Sequence, residues 1–463
     1  MKKMKYLLFA CILAVLTFTG CGRDDDSVIV LRVNNWEEYI DEGDWEEGDE
    51  IELGDGRVIF SETGIVEEFE DWFYENYGMY VEVEYSTFGT NEELYNQMTM
   101  GDTYDLVCPS EYMFMKLMAE GLLEPFSNDF YNPSIEENYY VKGVSPYIKG
   151  VYDELTINDQ PLSKYAAGYM WGTLGIVYNP EYVSEEDASH WNLLLSDEFR
   201  KRVTIKDSVR DAYFAGLCIL NEDTLNSERF LNSSNYLEDL AALLNATDEA
   251  TVNEVERVLS DIKDNVYSFE TDSGKADMVT GKVVANQQWS GDAVYTLDQA
   301  EEDGVELCYS APAEGTNLWF DGWCMIKAGI AQDRDKKIAA EAFVNFVSKP
   351  ENAVRNMNYI GYTSVIAGGE DDTILQYIDW CYGAGEDEEE ELVEYPVGYF
   401  FGDEESDVYY ITTVESQTRR QLFAQYPTKE VMEHCVVMEY FDPEENTRIN
   451  RMWTNARCFD LDW

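Results

Sequence analysis

The spacing of hydrophobic positions in the first part of the chain changes repeatedly between that of a strand and that of a helix. Residues 28–35 form a mostly apolar run and residues 80–88 alternate apolar with polar side chains, which predicts two strands. Between them, apolar residues recur at helical spacing at Ile65, Phe69, Trp72 and Phe73. The same pattern continues with a helix N-capped by Asn91, a short buried strand at 105–108 and a helix at 112–123.

This order of strands and helices predicts an α/β fold, in which helices cover both faces of a parallel sheet. Ligands of such sheets bind beyond the carboxyl ends of the strands. Those ends fall at Asn35-Trp36, Ser86-Thr87 and Pro109-Ser110, which are candidate site loops.

A second αβ region begins near Trp171. Residues 172–178 and 202–205 predict strands, and residues 236–244 and 252–262 predict helices. A chain of 463 residues with 45% hydrophobic content is long enough to fill the cores of two domains.

Two acidic, glycine-containing segments interrupt the pattern, at residues 41–60 and 367–420. Residues 386–391 form one unbroken acidic run. We interpret both segments as solvated insertions on the surface. Calcium binding is the alternative, although the spacing of the acids matches no EF-hand loop.

The net charge of −61 narrows the classes of partner. Such an acidic chain is repelled by a phosphate backbone, and we therefore expect no nucleic-acid partner. The same charge opposes electrostatic attachment to anionic lipid. It also creates a negative field that concentrates cations near the surface.

The N-terminus predicts a secretory signal. Lys2, Lys3 and Lys5 precede a short apolar run at 6–18, which is too short for a membrane span. Phe18-Thr19-Gly20-Cys21 resembles a bacterial lipobox, in which Cys21 becomes the lipid-modified first residue. An ordinary cleaved signal that leaves Cys21 free is the alternative. We therefore expect a signal peptide at 1–20, a tether at 21–26 and attachment to the membrane through lipid.

None of the remaining seven cysteines forms a CxxC motif, so a zinc ribbon or a redox motif has no support and we predict no metal site and no cofactor. The chain has two histidines, His190 and His434, and neither sits in a recognisable catalytic motif. A phosphate-binding loop of the Walker type is absent from the sequence. We therefore predict no catalytic residues. A carboxylate-dependent hydrolase remains an alternative, because 93 acids always offer some pair.

Indoles and carboxylates recur together in the candidate loops. Trp289-Ser290-Gly291-Asp292 and Trp319-Phe320-Asp321 are the clearest cases. A carboxylate forms charge-assisted hydrogen bonds with an ammonium, and an aromatic face attracts the same cation. This combination indicates recognition of a flexible organic cation.

Seven ordered motifs carry a resemblance to a known family. They are Asn35-Trp36-Glu37-Glu38-Tyr39, Tyr104-Asp105-Leu106-Val107-Cys108-Pro109-Ser110, Met170-Trp171-Gly172-Thr173-Leu174-Gly175, Asp207-Ser208-Val209-Arg210-Asp211, Trp289-Ser290-Gly291-Asp292, Glu314-Gly315-Thr316-Asn317-Leu318-Trp319 and Tyr359-Ile360-Gly361-Tyr362. Over about residues 29–365, and again from Tyr426, the chain resembles the spermidine/putrescine-binding proteins of bacterial ABC importers.

The resemblance implies a two-lobed fold of the type II periplasmic-binding-protein kind, with two interlobe crossovers near Trp171-Gly172 and Trp319-Asp321. The first lobe would hold residues 27–171 and 320–366, and the second lobe 172–319 and 367–463. The resemblance also implies a monomer that delivers polyamine to the permease subunits of an importer.

By the family's pattern, the ligand would contact aromatic walls, carboxylates and one polar side chain. The implied walls are Trp36, Tyr39, Tyr112, Trp289, Trp319 and Tyr362. The implied carboxylates are Asp211, Asp292 and Asp321, and Ser110 is the polar contact. Glu37 replaces a residue that is often small in relatives, so it either adds charge to the site or faces solvent. Ser208 replaces a second acid found in some members.

Two further binding functions remain open from the residues. A binding protein for another small organic cation fits the same clusters. A ferric-ion binder fits less well, because the adjacent tyrosines Tyr139-Tyr140 and Tyr409-Tyr410 lie outside the matched loops. The insertion at 41–60 directly follows the Trp36 loop, where it could cap the site.

Overall fold

The computed structural model describes residues 28–385, 390–403 and 408–458. The predicted signal peptide, the tether and Cys21 lie outside the described residues. Within these ranges, no helix has the length and apolar character needed to cross a membrane.

The strands are short except at four places, where they run for nine residues or more. In chain order they are β1 (Val28–Trp36), β2 (Ile51–Glu52), β3 (Val58–Ile59), β4 (Tyr80–Phe88), β5 (Leu106–Val107), β6 (Leu123–Glu124), β7 (Thr156–Ile157), β8 (Gln160–Pro161), β9 (Ala166–Tyr178), β10 (Val203–Lys206), β11 (Ser268–Glu270), β12 (Ala285–Trp289), β13 (Cys308–Ser310), β14 (Thr316–Ile326), β15 (Thr363–Ser364), β16 (Leu392–Pro396), β17 (Tyr410–Val414) and β18 (Cys435–Val436).

The helices lie between these strands and cover the main sheet. In chain order they are α1 (Ile65–Tyr77), α2 (Asn91–Met100), α3 (Glu111–Ala119), α4 (Tyr139–Gly143), α5 (Pro146–Glu154), α6 (Glu185–Ala188), α7 (Val209–Leu220), α8 (Glu222–Leu225), α9 (Glu228–Leu231), α10 (Tyr236–Leu244), α11 (Glu249–Asn265), α12 (Ser273–Val279), α13 (Ser290–Glu302), α14 (Lys327–Ile330), α15 (Arg334–Val347), α16 (Pro350–Ile360), α17 (Thr373–Tyr382), α18 (Gly398–Phe401), α19 (Gln421–Gln425), α20 (Lys429–Met432) and α21 (Pro443–Cys458).

Most predicted elements are present, although some ends differ: β9 begins at Ala166, well before the predicted start at residue 172. The strand at 80–88 and the helix at 236–244 have the predicted bounds. Thr90, not Asn91, caps α2, because its hydroxyl accepts a hydrogen bond from the backbone N–H of Glu93 at 3.1 Å.

The main sheet has the strand order β11-β10-β12-β9-β14-β5-β1-β4. Its two ends are parallel: β1 pairs with β4 and β5, and β10 pairs with β11 and β12. The long antiparallel strands β9 and β14 join the two ends, and Trp319 pairs with Gly172 where they cross. The two crossovers therefore run side by side at the predicted positions.

Two large hydrophobic cores flank these crossing strands. The first core includes Leu31, Phe69 and Trp323, and the second includes Ile205 and Leu259. A smaller cluster beneath α13 adds to the second side. The fold therefore has two lobes, one around each large core.

The segment after residue 367 differs from the predicted division. Most buried apolar residues from Ile374 to Met432 pack in the first core, Ala424 packs in the smaller cluster beneath α13, and the chain joins the second core from Val436 onward. The reason is a set of aromatic side chains within the acidic segment. The Phe400 ring, for example, stacks on Trp171 of β9 with centroids 5.7 Å apart.

The segment at 41–60 packs against helices of the first core. The Asp41 carboxylate is ion-paired with Arg355 of α16 at 2.7 Å. Arg57 forms ion pairs with Asp371 and Asp372 beside α17. The described contacts therefore connect the two acidic insertions with each other.

Candidate functional site

The predicted site residues gather where the strand ends of both lobes meet the crossing strands. Trp36 ends β1, Ser110 follows β5, Trp289 ends β12 and Asp321 lies within β14. We call the group formed by Trp36, Tyr39, Ser110, Asp211, Trp289, Asp292, Trp319, Asp321 and Tyr362 the interlobe site. Carboxyl ends of parallel strands meet at one edge of a sheet, which explains why distant motifs converge here.

Asp321 is the centre of the first-lobe half of this site. Its carboxylate accepts hydrogen bonds from the Tyr39 hydroxyl at 2.7 Å and from the Ser110 hydroxyl at 2.8 Å. Burial raises the pKa of Asp321 from 3.8 to about 6, although these hydroxyls partly offset that effect. In the part of the chain that the structure describes, no lysine or arginine forms an ion pair with it.

Aromatic rings connect Asp321 with the second lobe. The Tyr362 ring meets Tyr39 edge to face with centroids 5.6 Å apart, and it packs on Trp319 at 5.4 Å. The Trp36 ring packs on Phe88 at 4.7 Å, at the end of β1. These rings form an apolar wall beside a buried carboxylate.

Two glycines allow the wall to close this tightly. A Cβ at Gly291 would lie 1.7 Å from Cδ1 of Tyr362, and a Cβ at Gly172 would lie 2.5 Å from Cζ2 of Trp319. Any side chain at either position would displace a ring. The close approach therefore accounts for glycine in both motifs.

Asp292 occupies the second-lobe half of the site, in the first turn of α13. Its carboxylate is 3.1 Å from the Lys206 ammonium and 3.4 Å from the Lys275 ammonium, and it accepts a hydrogen bond from the Tyr362 hydroxyl at 3.2 Å. Burial opposes ionisation, but the two ammoniums and the hydroxyl more than offset it and lower the pKa of Asp292 below 3.8.

Asp211 lies in the first turn of α7 beneath the Trp289 ring. The indole N–H of Trp289 donates to its carboxylate at 3.3 Å. Burial raises the pKa of Asp211, while the Ser208 hydroxyl, the indole and the charges of Lys206 and Arg210 act in the opposite direction.

Tyr112 and Glu37 have different positions from the other predicted site residues. The Tyr112 ring lies under the Arg210 guanidinium, whose Cζ is 4.4 Å from the ring centroid, so it contacts the second lobe through a protein cation. The Glu37 side chain is exposed to solvent. Glu37 was predicted either to add charge to the site or to face solvent, and in the structure it faces solvent.

Two charged residues of the site were not singled out from the sequence: Lys206 and Glu111. Lys206 is fully buried at the end of β10. The one sequence feature that could have indicated a site residue there is a lysine directly after an apolar run. Burial raises the pKa of Glu111 to about 8, although its carboxylate accepts the backbone N–H of Phe320 at 3.1 Å. A protonated Glu111 adds no charge to the site at neutral pH.

The two histidines lie elsewhere. His190 contacts the buried carboxylate of Glu314 at 2.5 Å, and His434 contacts the Tyr236 hydroxyl at 2.5 Å. His190, Glu222 and Glu314 also form a cluster whose ligand atoms lie within 4.8 Å of one another.

The arrangement at the interlobe site suits capture of a cation through carboxylates and rings.

Comparison with known proteins shows the family of this chain. The model of a family described as bacterial extracellular solute-binding proteins matches residues 64–375. The spermidine/putrescine-binding periplasmic protein of Escherichia coli K12 is 25% identical over 364 residues, which cover 78% of this chain and 84% of that protein. The putrescine-binding periplasmic protein SpuD of Pseudomonas aeruginosa UCBPP-PA14 is 26% identical over 359 residues, or 76% and 82% of the two chains.

Solved structures show the same fold. The spermidine/putrescine ABC transporter substrate-binding protein PotD of Streptococcus pneumoniae, crystallised with calcium and HEPES, has a TM-score of 0.59 and 25% identity, covering 93% of this chain and 98% of that one. The Tp0655 (TpPotD) lipoprotein of Treponema pallidum has a TM-score of 0.59 at 16% identity, covering 92% and 99%. The predicted two-lobed type II fold is thereby confirmed. This chain belongs to the family of bacterial extracellular solute-binding proteins.

Proposed function

We propose that this extracytoplasmic solute-binding protein captures a linear organic amine of the polyamine class in the interlobe site. It then delivers that amine to the permease of an ABC importer. One observation carries the proposal. Asp321 is a buried carboxylate, held by two hydroxyls, that lacks an ion-pair partner among the described lysines and arginines. A ligand ammonium is the chemical group that would supply the missing charge.

The rings beside Asp321 suit the rest of such a ligand. A polyamine alternates ammonium groups with short methylene chains, and Tyr39, Trp319 and Tyr362 offer faces for the methylenes. A hydrogen bond to a charged group contributes about 1.5–3 kcal/mol. A cation–π contact adds about 0.5–2 kcal/mol. Together they can offset the ordering of a flexible chain.

The relatives support the same ligand class. The E. coli protein is named for spermidine and putrescine, and the P. aeruginosa protein for putrescine. Since a ligand between the lobes would contact both of them, it would favour the closed form by differential contact. The closed form would be the one that the permease recognises.

Titration calorimetry tests the proposal. Putrescine, monoacetylated putrescine, spermidine and spermine are titrated into the full chain, with glucose as a neutral ligand. We expect at least one of the amines to bind and glucose not to bind. Asp321→Asn and Trp319→Ala should each weaken amine binding at least tenfold. Trp380→Ala is the matched control, because Trp380 is 46% exposed on α17. Failure of every amine to bind would refute the proposal.

Membrane attachment through lipid on Cys21 is a separate part of the proposal, supported by the lipobox-like sequence. Expression of the wild type and of Cys21→Ala in a bacterial host, followed by membrane fractionation, tests it. The wild type should stay with the membrane after a high-salt wash, and the variant should be released. Equal release of both proteins would exclude a lipid anchor.

A further inference from the structure

The ammonium of Lys206 lies beside Asp292, where the family resemblance implies a ligand ammonium. Lys206 is the last residue of β10 and is buried, with 1% of its surface exposed. Its Nζ is 3.1 Å from the Asp292 carboxylate, donates to the carbonyl of Thr271 at 2.7 Å and lies 4.5 Å from the centroid of the Trp289 ring. A carboxylate, a carbonyl and an indole face are the contacts by which this corner would bind a ligand cation.

A second lysine strengthens the effect. The Lys275 ammonium lies 3.4 Å from Asp292 and 3.5 Å from Asp272. Asp292 therefore faces two protein ammoniums as well as the Tyr362 hydroxyl. Its negative charge is already balanced without any ligand.

The two ends of the interlobe site thus differ in charge. Asp321 accepts from the hydroxyls of Tyr39 and Ser110 and has no ion-pair partner among the described lysines and arginines, whereas Asp292 is ion-paired twice. Tyr362 connects them, because its hydroxyl donates to Asp292 and its ring packs against Tyr39, which donates to Asp321. A linear ligand along this ring would have one end at an unpaired carboxylate and the other at a carboxylate that two protein ammoniums already pair.

The second end also carries donors for an acceptor group. The Lys206 and Lys275 ammoniums are these donors, and the Lys275 side chain is 26% exposed. Lys206 also lies 4.0 Å from the buried Glu270 carboxylate, and Lys275 lies 3.5 Å from Asp272, so these carboxylates already have protein ammoniums. A second ligand ammonium would find no unpaired carboxylate among them. A carbonyl oxygen needs no counter-charge and can accept a hydrogen bond from a lysine ammonium.

We infer that the interlobe site takes an amine with a single ammonium, bound at Asp321, whose far end carries a carbonyl acceptor facing Lys206 and Lys275. A monoacylated diamine is the chemical class that fits, and a free diamine is disfavoured by its second ammonium. This inference rests on the proposed function and narrows its ligand class.

The wild-type protein alone provides the first test. Calorimetry with putrescine and N-acetylputrescine compares two ligands that share one chain and differ in the charge at one end. We expect N-acetylputrescine to bind at least tenfold more tightly. Equal or tighter binding of putrescine would overturn the inference and leave the proposed function standing. If no amine binds, both fail.

Lys206→Met provides the second test, since it keeps an unbranched apolar chain and removes the ammonium. We expect the ratio of the two affinities to shift toward putrescine by at least tenfold. A merely structural role of Lys206 would change both affinities together and leave the ratio constant, which would overturn the inference. Lys282→Met is the matched control, because that side chain is 45% exposed and pairs with Asp277.

Burial of Lys206 makes the variant sensitive to misfolding, so its thermal melt is recorded first. Lys275→Met is the second variant, because the Lys275 side chain is 26% exposed and its loss leaves Lys206 in place. A shift of the ratio in the same direction by at least threefold supports the inference. An unchanged ratio in a folded Lys275→Met protein counts against it.

Discussion

Replacing Asp321 by asparagine should make the ligand-free protein more stable at neutral pH while it abolishes amine binding. Burial raises the pKa of Asp321 from 3.8 to about 6 in the folded chain. Each factor of ten in an ionisation constant corresponds to about 1.4 kcal/mol, so the ionised carboxylate opposes folding by about 3 kcal/mol at pH 8. Asparagine removes this charge and keeps a group that can hydrogen-bond to the hydroxyls of Tyr39 and Ser110.

The sign of the pH dependence follows from the direction of the pKa change. Since the folded pKa lies above the unfolded one, the penalty is complete above pH 6. It shrinks as the pH falls, to under about 1 kcal/mol at pH 4, because the carboxyl is then protonated in the folded state and increasingly so in the unfolded state. Urea unfolding of the wild type and of Asp321→Asn at pH 8, 6 and 4 measures this difference.

Asp292→Asn is the control with the opposite sign. The pKa of Asp292 is lowered below 3.8, so its carboxylate stabilises the fold above that pH and loses this effect as the pH falls through the lower folded value. Asp292→Asn should therefore destabilise the protein at pH 8. If Asp321→Asn destabilises it by the same amount at pH 8 and pH 4, the electrostatic account of Asp321 is refuted. Amine affinity of the wild type should also fall below pH 6, since a protonated Asp321 cannot pair with an ammonium.

Three further changes test packing and charge around the site. Gly291→Ala should weaken amine binding at least tenfold in calorimetry, because the new Cβ would displace the Tyr362 ring. Unchanged affinity would contradict the packing argument. His190→Gln should destabilise the protein at pH 5.5 and have little effect at pH 9. The pair with Glu314 raises the pKa of His190 above 6.5, so its stabilising contribution is lost as the pH rises through that raised value. Calorimetric melts at both pH values measure this difference. Arg355→Met should cost about 3–5 kcal/mol in urea unfolding, because it leaves a buried carboxylate unpaired, and a loss under about 1 kcal/mol would contradict that role.

The sequence predicted the elements whose apolar spacing is regular. The strand β4 and the helix α10 have the predicted bounds because their hydrophobic positions keep one period throughout. The crossovers at Trp171 and Trp319 were implied by ordered motifs, and β9 pairs with β14 at those residues. Such motifs preserve the local chemistry that a strand junction requires.

The acidic segment after residue 367 illustrates what composition conceals. Its charge predicts a solvated insertion, yet Tyr395, Tyr399 and Phe400 are buried in the first core. A few aromatic anchors among many acids decide where the backbone packs, because each buries a large apolar area. Their partners, such as Trp171, are distant in sequence, so no local period reveals them.

The pairing of Lys206 with Asp292 could not be predicted for the same reason. The two residues are 86 positions apart and meet because β10 and β12 end at one edge of the sheet. A sequence shows how many acids a set of motifs contains. The charge that a ligand must supply depends on the difference between those acids and the protein cations beside them.

Long-range and short-range electrostatics therefore select for different properties of the ligand. The net charge of −61 attracts polycations most strongly, but this field is screened beyond about 10 Å at moderate ionic strength and acts mainly on the rate of encounter. Inside the interlobe site, Asp321 offers one unpaired carboxylate while Lys206 and Lys275 neutralise Asp292. Association would then be fastest for the most charged amine, whereas the slowest dissociation would belong to an amine with one ammonium. A comparison of association and dissociation rates at low and high salt separates the two contributions. Added salt weakens the long-range field of the surface charges, whereas the buried contacts in the interlobe site are not screened in this way.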